Sequence, residues 1–81
     1  MITFIQVNDE QRRKELIDRK DFSRIFMLSD YEFALDKLKS LASRSSARGW
    51  DTLIINDLKK DYRGEFQGFA NLMYIDLRSD K

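Results

Sequence analysis

Four acidic residues with two lysines among them are the part of the sequence best suited to carry chemistry. They are Asp51, Asp57, Asp61 and Glu65, with Lys59 and Lys60 between them. Carboxylates beside lysine can hold a divalent cation and a phosphodiester, so a nuclease-like hydrolase is one hypothesis. Their order and spacing match no catalytic pattern, which favours the other interpretation, that they are the solvated side chains of a hairpin loop. We therefore predict no catalytic residue and no metal ligand here.

The residue types that are missing from the chain narrow its chemistry further. The chain has no Cys and no His, which excludes disulfides, thiolate catalysis, cysteine-based metal sites and the usual general base. It also lacks the glycine-rich and nucleophile-elbow motifs of nucleotide-binding proteins and hydrolases. We predict a protein that is not an enzyme and holds no cofactor.

Basic residues gather in the first quarter of the chain. Between residues 11 and 24, six basic and three acidic side chains leave a local net charge of +3, although the whole chain carries only +1. Such a segment could meet a phosphate backbone, which makes weak nucleic-acid binding the alternative function. The interspersed acids favour an ordinary solvated face instead. The candidate nucleic-acid residues are Arg12, Arg13, Lys14, Arg19 and Lys20.

Four aromatic residues fall outside the apolar patterns that predict a core. Phe33 lies off the apolar stripe of its helix, Trp50 follows the helix stop, and Tyr62 and Phe66 lie in a polar connection. They form either an exposed protein interface or the ends of a small core. Small domains also complete their cores by self-association, so a homo-oligomer is expected.

Hydrophobic patterning places these residues on alternating strands and helices. The longest predicted element is a helix over 30–48, with a capping box at Ser29 and Glu32 and a stop at Gly49. Its apolar stripe recurs with a helical period. The stripe comprises Tyr31, Ala34, Leu35, Leu38, Leu41 and Ala42. A second helix is predicted over 9–19, capped by Asn8. It has few apolar residues and is too polar to cover much of a sheet.

Four apolar segments predict the strands. They are 2–7, 22–28, 52–56 and 69–77, with a hairpin at 57–68 and a frayed tail at 78–81. The continuous run in 22–28 predicts the central strand, buried on both faces. The chain of 81 residues is one domain of the α+β class. Its predicted order is β-α-β-α-β-β, with a single small sheet of about four strands packed on one long amphipathic helix.

One resemblance covers the second half of the chain. The helix end and strand at 47–55, followed by Gly68, Phe69 and Ala70, resemble small bacterial envelope-stress lipoprotein sensor domains and soluble relatives described as heavy-metal-binding. Trp50 and Ser45 stand where those proteins carry small residues, and the cysteines of the sensors are absent. The resemblance implies a binding or assembly role, such as a ring-shaped homo-oligomer, and no metal site.

The leading prediction is a small non-enzymatic protein-interaction module, of the regulatory or inhibitory kind that phages and mobile elements encode. Its partner is another protein or a second copy, which would also cover the sheet face that the polar first helix leaves open. The N-terminal segment has neither a basic region nor a long apolar stretch, so we expect no signal peptide and no membrane association. A small domain without disulfides is expected in the cytoplasm.

Overall fold

The computed structural model describes residues 1–69 and 71–78, which form two α-helices and one four-stranded sheet. Short 3-10 helices span Leu28–Tyr31 and Arg63–Phe66. The main elements are β1 (Ile2–Gln6), α1 (Glu10–Ile17), β2 (Arg24–Met27), α2 (Leu35–Ala47), β3 (Thr52–Asn56) and β4 (Leu72–Asp76). Of the predicted tail, Arg78 is described and bonds to Asp76, and 79–81 lie outside the described residues.

All four strands run parallel, in the order β2-β3-β1-β4. The strands therefore start together at one edge of the sheet, called the amino edge below, and end together at the opposite carboxyl edge. The predicted hairpin is wrong, because β4 pairs in parallel with β1 and does not pair with β3. The connection crosses the sheet instead, since Tyr62 and Phe66 within it pack into the hydrophobic core.

The two central strands are β1 and β3, and all ten of their residues are buried. The prediction that the apolar run at 22–28 forms the central strand is wrong. β2 lies at a sheet edge, and Ile25, Phe26 and Met27 are only half-buried. A continuous apolar run shows that both faces are covered, but it does not show whether both edges are paired.

Alternate residues of each strand point to the two faces of the sheet, and each face carries a separate cluster of buried side chains. The cluster under α2 comprises Ile2, Phe4, Leu28, Leu38, Ala42, Ile54, Tyr62 and Phe66. The cluster under α1 comprises Ile5, Val7, Leu16, Leu53 and Ile55. The chain itself therefore covers the centre of the second face. At its rim Met73 remains 45% exposed, and a partner on that face stays a prediction.

The helices are shorter than predicted at their amino ends. α1 is capped by Asp9 rather than Asn8, because the Asp9 carboxylate accepts a hydrogen bond from the backbone N–H of Gln11 at 2.8 Å. α2 spans 13 residues and has no side-chain cap; the backbone N–H of Ser29 donates instead to Asp57 Oδ1. The predicted stop is confirmed, since Gly49 has a φ of 83°. Within the described residues, no helix has the length and apolar character to cross a membrane.

Candidate functional site

The four acidic residues of the hydrolase hypothesis are spread over the molecule. Asp51 precedes β3 and Asp57 follows it, so the two lie at opposite edges of the sheet, about 20 Å apart along the strand. Asp61 accepts a hydrogen bond from the backbone N–H of Arg63, and Glu65 pairs with Lys39 at 3.4 Å. In residues 1–69 and 71–78, no three acidic side chains come together to hold a metal ion.

Several of the basic side chains around α1 are engaged within the chain. Arg13 forms an ion pair with Glu10, and this bond lowers the pKa of the Glu10 carboxyl. Arg19 Nε donates to Asp21 at 3.0 Å, and its guanidinium lies over the ring of Phe22. Arg12 donates to the carbonyl of Leu77. Lys14 and Lys20 are exposed, but Arg19 and Lys20 lie beyond the end of α1 at Ile17. Because three of the five candidates are engaged and two lie outside the helix, α1 does not present one continuous basic face.

The four aromatic candidates do not form one exposed patch. Tyr62 is 8% exposed and Phe66 is 1% exposed, because both belong to the core under α2. The Phe66 ring lies 5.0 Å from that of Phe4 and 5.6 Å from that of Phe69, measured between centroids. Tyr62 and Phe66 therefore complete the core and do not form an exposed interface. This was the second of the two interpretations that the sequence left open.

Phe33 is the most exposed large apolar residue, with 96% of its surface open to solvent. It lies in the turn that joins the first 3-10 helix to α2, near the carboxyl edge. Trp50 follows the other end of α2, about 20 Å away along a helix of 13 residues. The two remaining candidates of the predicted interface therefore belong to different surfaces.

Trp50 is part of a shallow cavity of about 250 Å³ near the amino edge. We call it the arginine–tryptophan pocket, after Arg24, Arg44, Arg48 and Trp50. The guanidinium carbons of Arg24 and Arg48 lie 4.5 Å and 5.3 Å from the indole ring centroid. Phe26, Leu41 and Ser45 complete its lining. Arg24 lies at the start of β2, and Arg44 and Arg48 lie at the end of α2. Only the tertiary structure brings these two elements to one tryptophan.

A larger crevice of about 560 Å³ lies at the carboxyl edge, between the segments that follow β1 and β3. The chain leaves β1 toward one face and β3 toward the other, which is the position where open parallel sheets bind ligands. Most of its charged side chains have partners within the chain: Asp9 caps α1, Arg13 pairs with Glu10, and Asp57 accepts from Ser29. Lys59 also lines the crevice and is exposed. Because acidic and basic residues are mixed in the lining, the crevice does not indicate the charge of a ligand.

A buried polar network closes the carboxyl edge beside this crevice. Asn56 Nδ2 donates to Gln6 Oε1 at 2.6 Å and to the carbonyl of Lys60 at 3.0 Å. The Gln6 amide in turn contacts the hydroxyl of Tyr74. Burial raises the pKa of the Tyr74 phenol, which keeps it protonated and able to bond. None of the sequence patterns above predicts this network. Its signal in the sequence is the polar residue, Gln6 or Asn56, at the end of each of two apolar strands.

The ion pair of Asp76 with Arg78 gives a measurable acid titration at the same edge. Hydrogen bonds from the Arg78 side chain and backbone lower the pKa of Asp76 from 3.8 to about 2. The folded pKa is the lower one, so this small contribution to stability is present above pH 3.8 and disappears as the pH falls toward 2. We expect Arg78→Gln to raise the Asp76 pKa toward its ordinary value, measured by NMR titration of the carboxyl carbon. An unchanged pKa in the variant would contradict this assignment.

Comparison of the chain with protein-family models, with curated proteins and with solved structures finds no match. The resemblance of the second half of the chain to the lipoprotein sensor domains therefore remains a prediction.

Proposed function

We propose that this protein is a small non-enzymatic interaction module that binds another protein, with Phe33 as the anchor of the interface. The observation that carries the proposal is the 96% exposure of this phenylalanine. Burying a phenylalanine side chain in a partner removes a large apolar surface from water. Residues that dominate binding energy are commonly such side chains inserted into a pocket of the partner.

The turn that carries Phe33 is held firmly, which reduces the entropy lost on binding. The backbone N–H of Ala34 donates to the carbonyl of Tyr31 at 2.9 Å. The carbonyl of Ala34 accepts from Leu38 at the start of α2, and the Tyr31 ring packs edge-on against Phe26. A side chain presented from a preorganised turn keeps more of its contact energy as affinity.

The charges around Phe33 indicate the chemistry of the partner. Asp30, Glu32 and Asp36 are all exposed and lie within three residues of it along the chain. An apolar pocket with a basic rim would complement an aromatic side chain with this acidic border. We further propose a regulatory or inhibitory role in the cytoplasm, of the phage or mobile-element kind.

The test is capture of partners from host lysate by the tagged protein and by its Phe33→Ser variant, with and without nuclease. We expect the wild type to capture a protein whether or not nuclease is added, and Phe33→Ser to lose it. Losing an anchor costs about 2 kcal/mol, or roughly 30-fold in affinity. Ile17→Ser is the matched control, because Ile17 is also an exposed apolar residue but lies at the end of α1, near the amino edge. Its variant should capture the same protein.

Two results would contradict this proposal. One is equal capture by wild type and Phe33→Ser, and the other is capture that nuclease abolishes. Light scattering at two concentrations identifies the case in which the partner is a second copy. An oligomer of the wild type that Phe33→Ser dissociates would identify self-association, including the ring that the resemblance implies, as the form of the interaction.

A further inference from the structure

The arginine–tryptophan pocket concentrates positive charge without a carboxylate. Three segments supply it: the start of β2 provides Arg24, the end of α2 provides Arg44 and Arg48, and the link to β3 provides Trp50. No Asp or Glu lines the cavity. Like charges gathered around one cavity repel each other, and a bound anion would relieve that repulsion.

Four of the other five arginines have a carboxylate partner, and the fifth, Arg12, donates to the carbonyl of Leu77. Arg13, Arg19, Arg63 and Arg78 each lie within 4 Å of a carboxylate oxygen. No ion pair joins the arginines of the pocket to any acid in the described part of the chain; Arg44 donates instead to the hydroxyl of Ser40 at 3.1 Å. Their guanidinium groups therefore retain donors for a ligand.

Two structural roles account for some of the arginines in the arginine–tryptophan pocket. Cations near the carboxyl end of α2 complement the helix dipole, which explains Arg44 and Arg48. Stacking on Trp50 holds Arg24 and Arg48 in place through cation–π contacts. Stacking explains the position of Arg24, but it uses the face of the guanidinium group and not its N–H donors. Guanidinium groups held by a tryptophan are preorganised for bidentate bonds to an oxyanion.

The surface of α2 extends this positive charge away from the pocket. Lys37, Ser40, Arg44 and Arg48 follow one another at spacings of three, four and four residues, which keeps them on one side of a helix. The stripe covers about 16 Å along the axis. Arginine, lysine and serine are the side chains that proteins most often direct at phosphate oxygens. A basic groove that includes an aromatic residue is typical of sites for single-stranded nucleic acid.

From this geometry we propose that the arginine–tryptophan pocket and the stripe on α2 bind the phosphate backbone of single-stranded nucleic acid. The site is separate from α1, where the sequence had placed the candidate residues, and its pocket lies at the opposite end of α2 from Phe33. It adds a second binding surface to the proposed interaction module.

Trp50 reports on this site directly, because it is the only tryptophan in the chain. A titration with short oligothymidylate should change its fluorescence. With three phosphates neutralised, the logarithm of the binding constant should fall with the logarithm of the salt concentration with a slope of about −2. Arg24→Gln should make that slope shallower by about 0.7, and Arg44→Gln is a second variant in case Arg24→Gln does not fold.

Lys14→Gln on α1 is the matched control, since it removes an exposed cation elsewhere, and Phe33→Ser tests independence from the protein interface. Both should bind oligothymidylate as the wild type does. No fluorescence change, or a loss of binding with Lys14→Gln and not with Arg24→Gln or Arg44→Gln, would overturn the proposal. So would equally tight binding of poly-glutamate, which would show that the pocket accepts the carboxylates of an acidic protein surface.

Discussion

Replacing Phe66 by alanine is expected to lower the free energy of unfolding by about 3–5 kcal/mol. Phe66 is 1% exposed and its ring contacts those of Phe4 and Phe69. Removing it leaves a cavity in the core under α2, in the connection that carries the chain across the sheet from β3 to β4. Equilibrium unfolding in urea measures the change.

Phe33→Ala is the matched control for this prediction. The substitution removes the same side chain from an exposed turn, and we expect the free energy of unfolding to stay within about 0.5 kcal/mol of the wild type. A large loss of stability in Phe33→Ala, or none in Phe66→Ala, would mean that the roles assigned to the two residues are wrong. The pair also shows that capture lost with a Phe33 variant reflects the interface and not unfolding.

Replacing Asn56 by leucine is expected to cost about 2–3 kcal/mol of stability, although the two side chains have the same number and branching of heavy atoms. The Asn56 side chain bonds to Gln6, to the carbonyl of Lys60 and to the backbone N–H of Leu58. The leucine would leave the buried Gln6 amide without its donor. It would also release the start of the connection after β3, next to the crevice at the carboxyl edge.

A double-mutant cycle tests whether this cost comes from the Asn56–Gln6 pair. Gln6→Met combined with Asn56→Leu removes both buried amides, so the double variant should lose less stability than the sum of the two single variants. A coupling of about 1 kcal/mol or more is expected for side chains in direct contact. Strictly additive losses, measured by urea unfolding, would show that the two amides act independently and would contradict the network.

Local sequence patterns were sufficient to predict the four strands and the two α-helices, although not the 3-10 helices or the point at which α2 begins. The strand predicted at 52–56 is β3 in the structure, because an apolar run between a glycine-containing helix stop and a polar loop has few other stable conformations. The stripe of the second helix and its end at Gly49 depend on backbone geometry within a few residues. The single small sheet of four strands and its packing on this helix also follow from these patterns.

The order and direction of the strands could not be read in the same way. A hairpin and a crossover at 57–71 both begin with a polar segment after a buried strand. The burial of Tyr62 and Phe66 on the α2 face accompanies the crossover, and that burial depends on residues far away in sequence such as Phe4. Likewise, the apolar run at 22–28 would look the same in a central strand and in an edge strand, so the sequence does not distinguish the two positions.

The sequence by itself determined the inventory of this protein: its strands and helices, the absence of cysteine and histidine, and the aromatic and basic residues available for binding. The tertiary structure alone decided which of them meet. It buried Tyr62 and Phe66, left Phe33 exposed, and brought Arg24 from a strand to Trp50 beside Arg44 and Arg48. Helical and strand periods act over neighbouring residues, whereas burial and charge clustering depend on long-range strand pairing, which one local pattern does not specify.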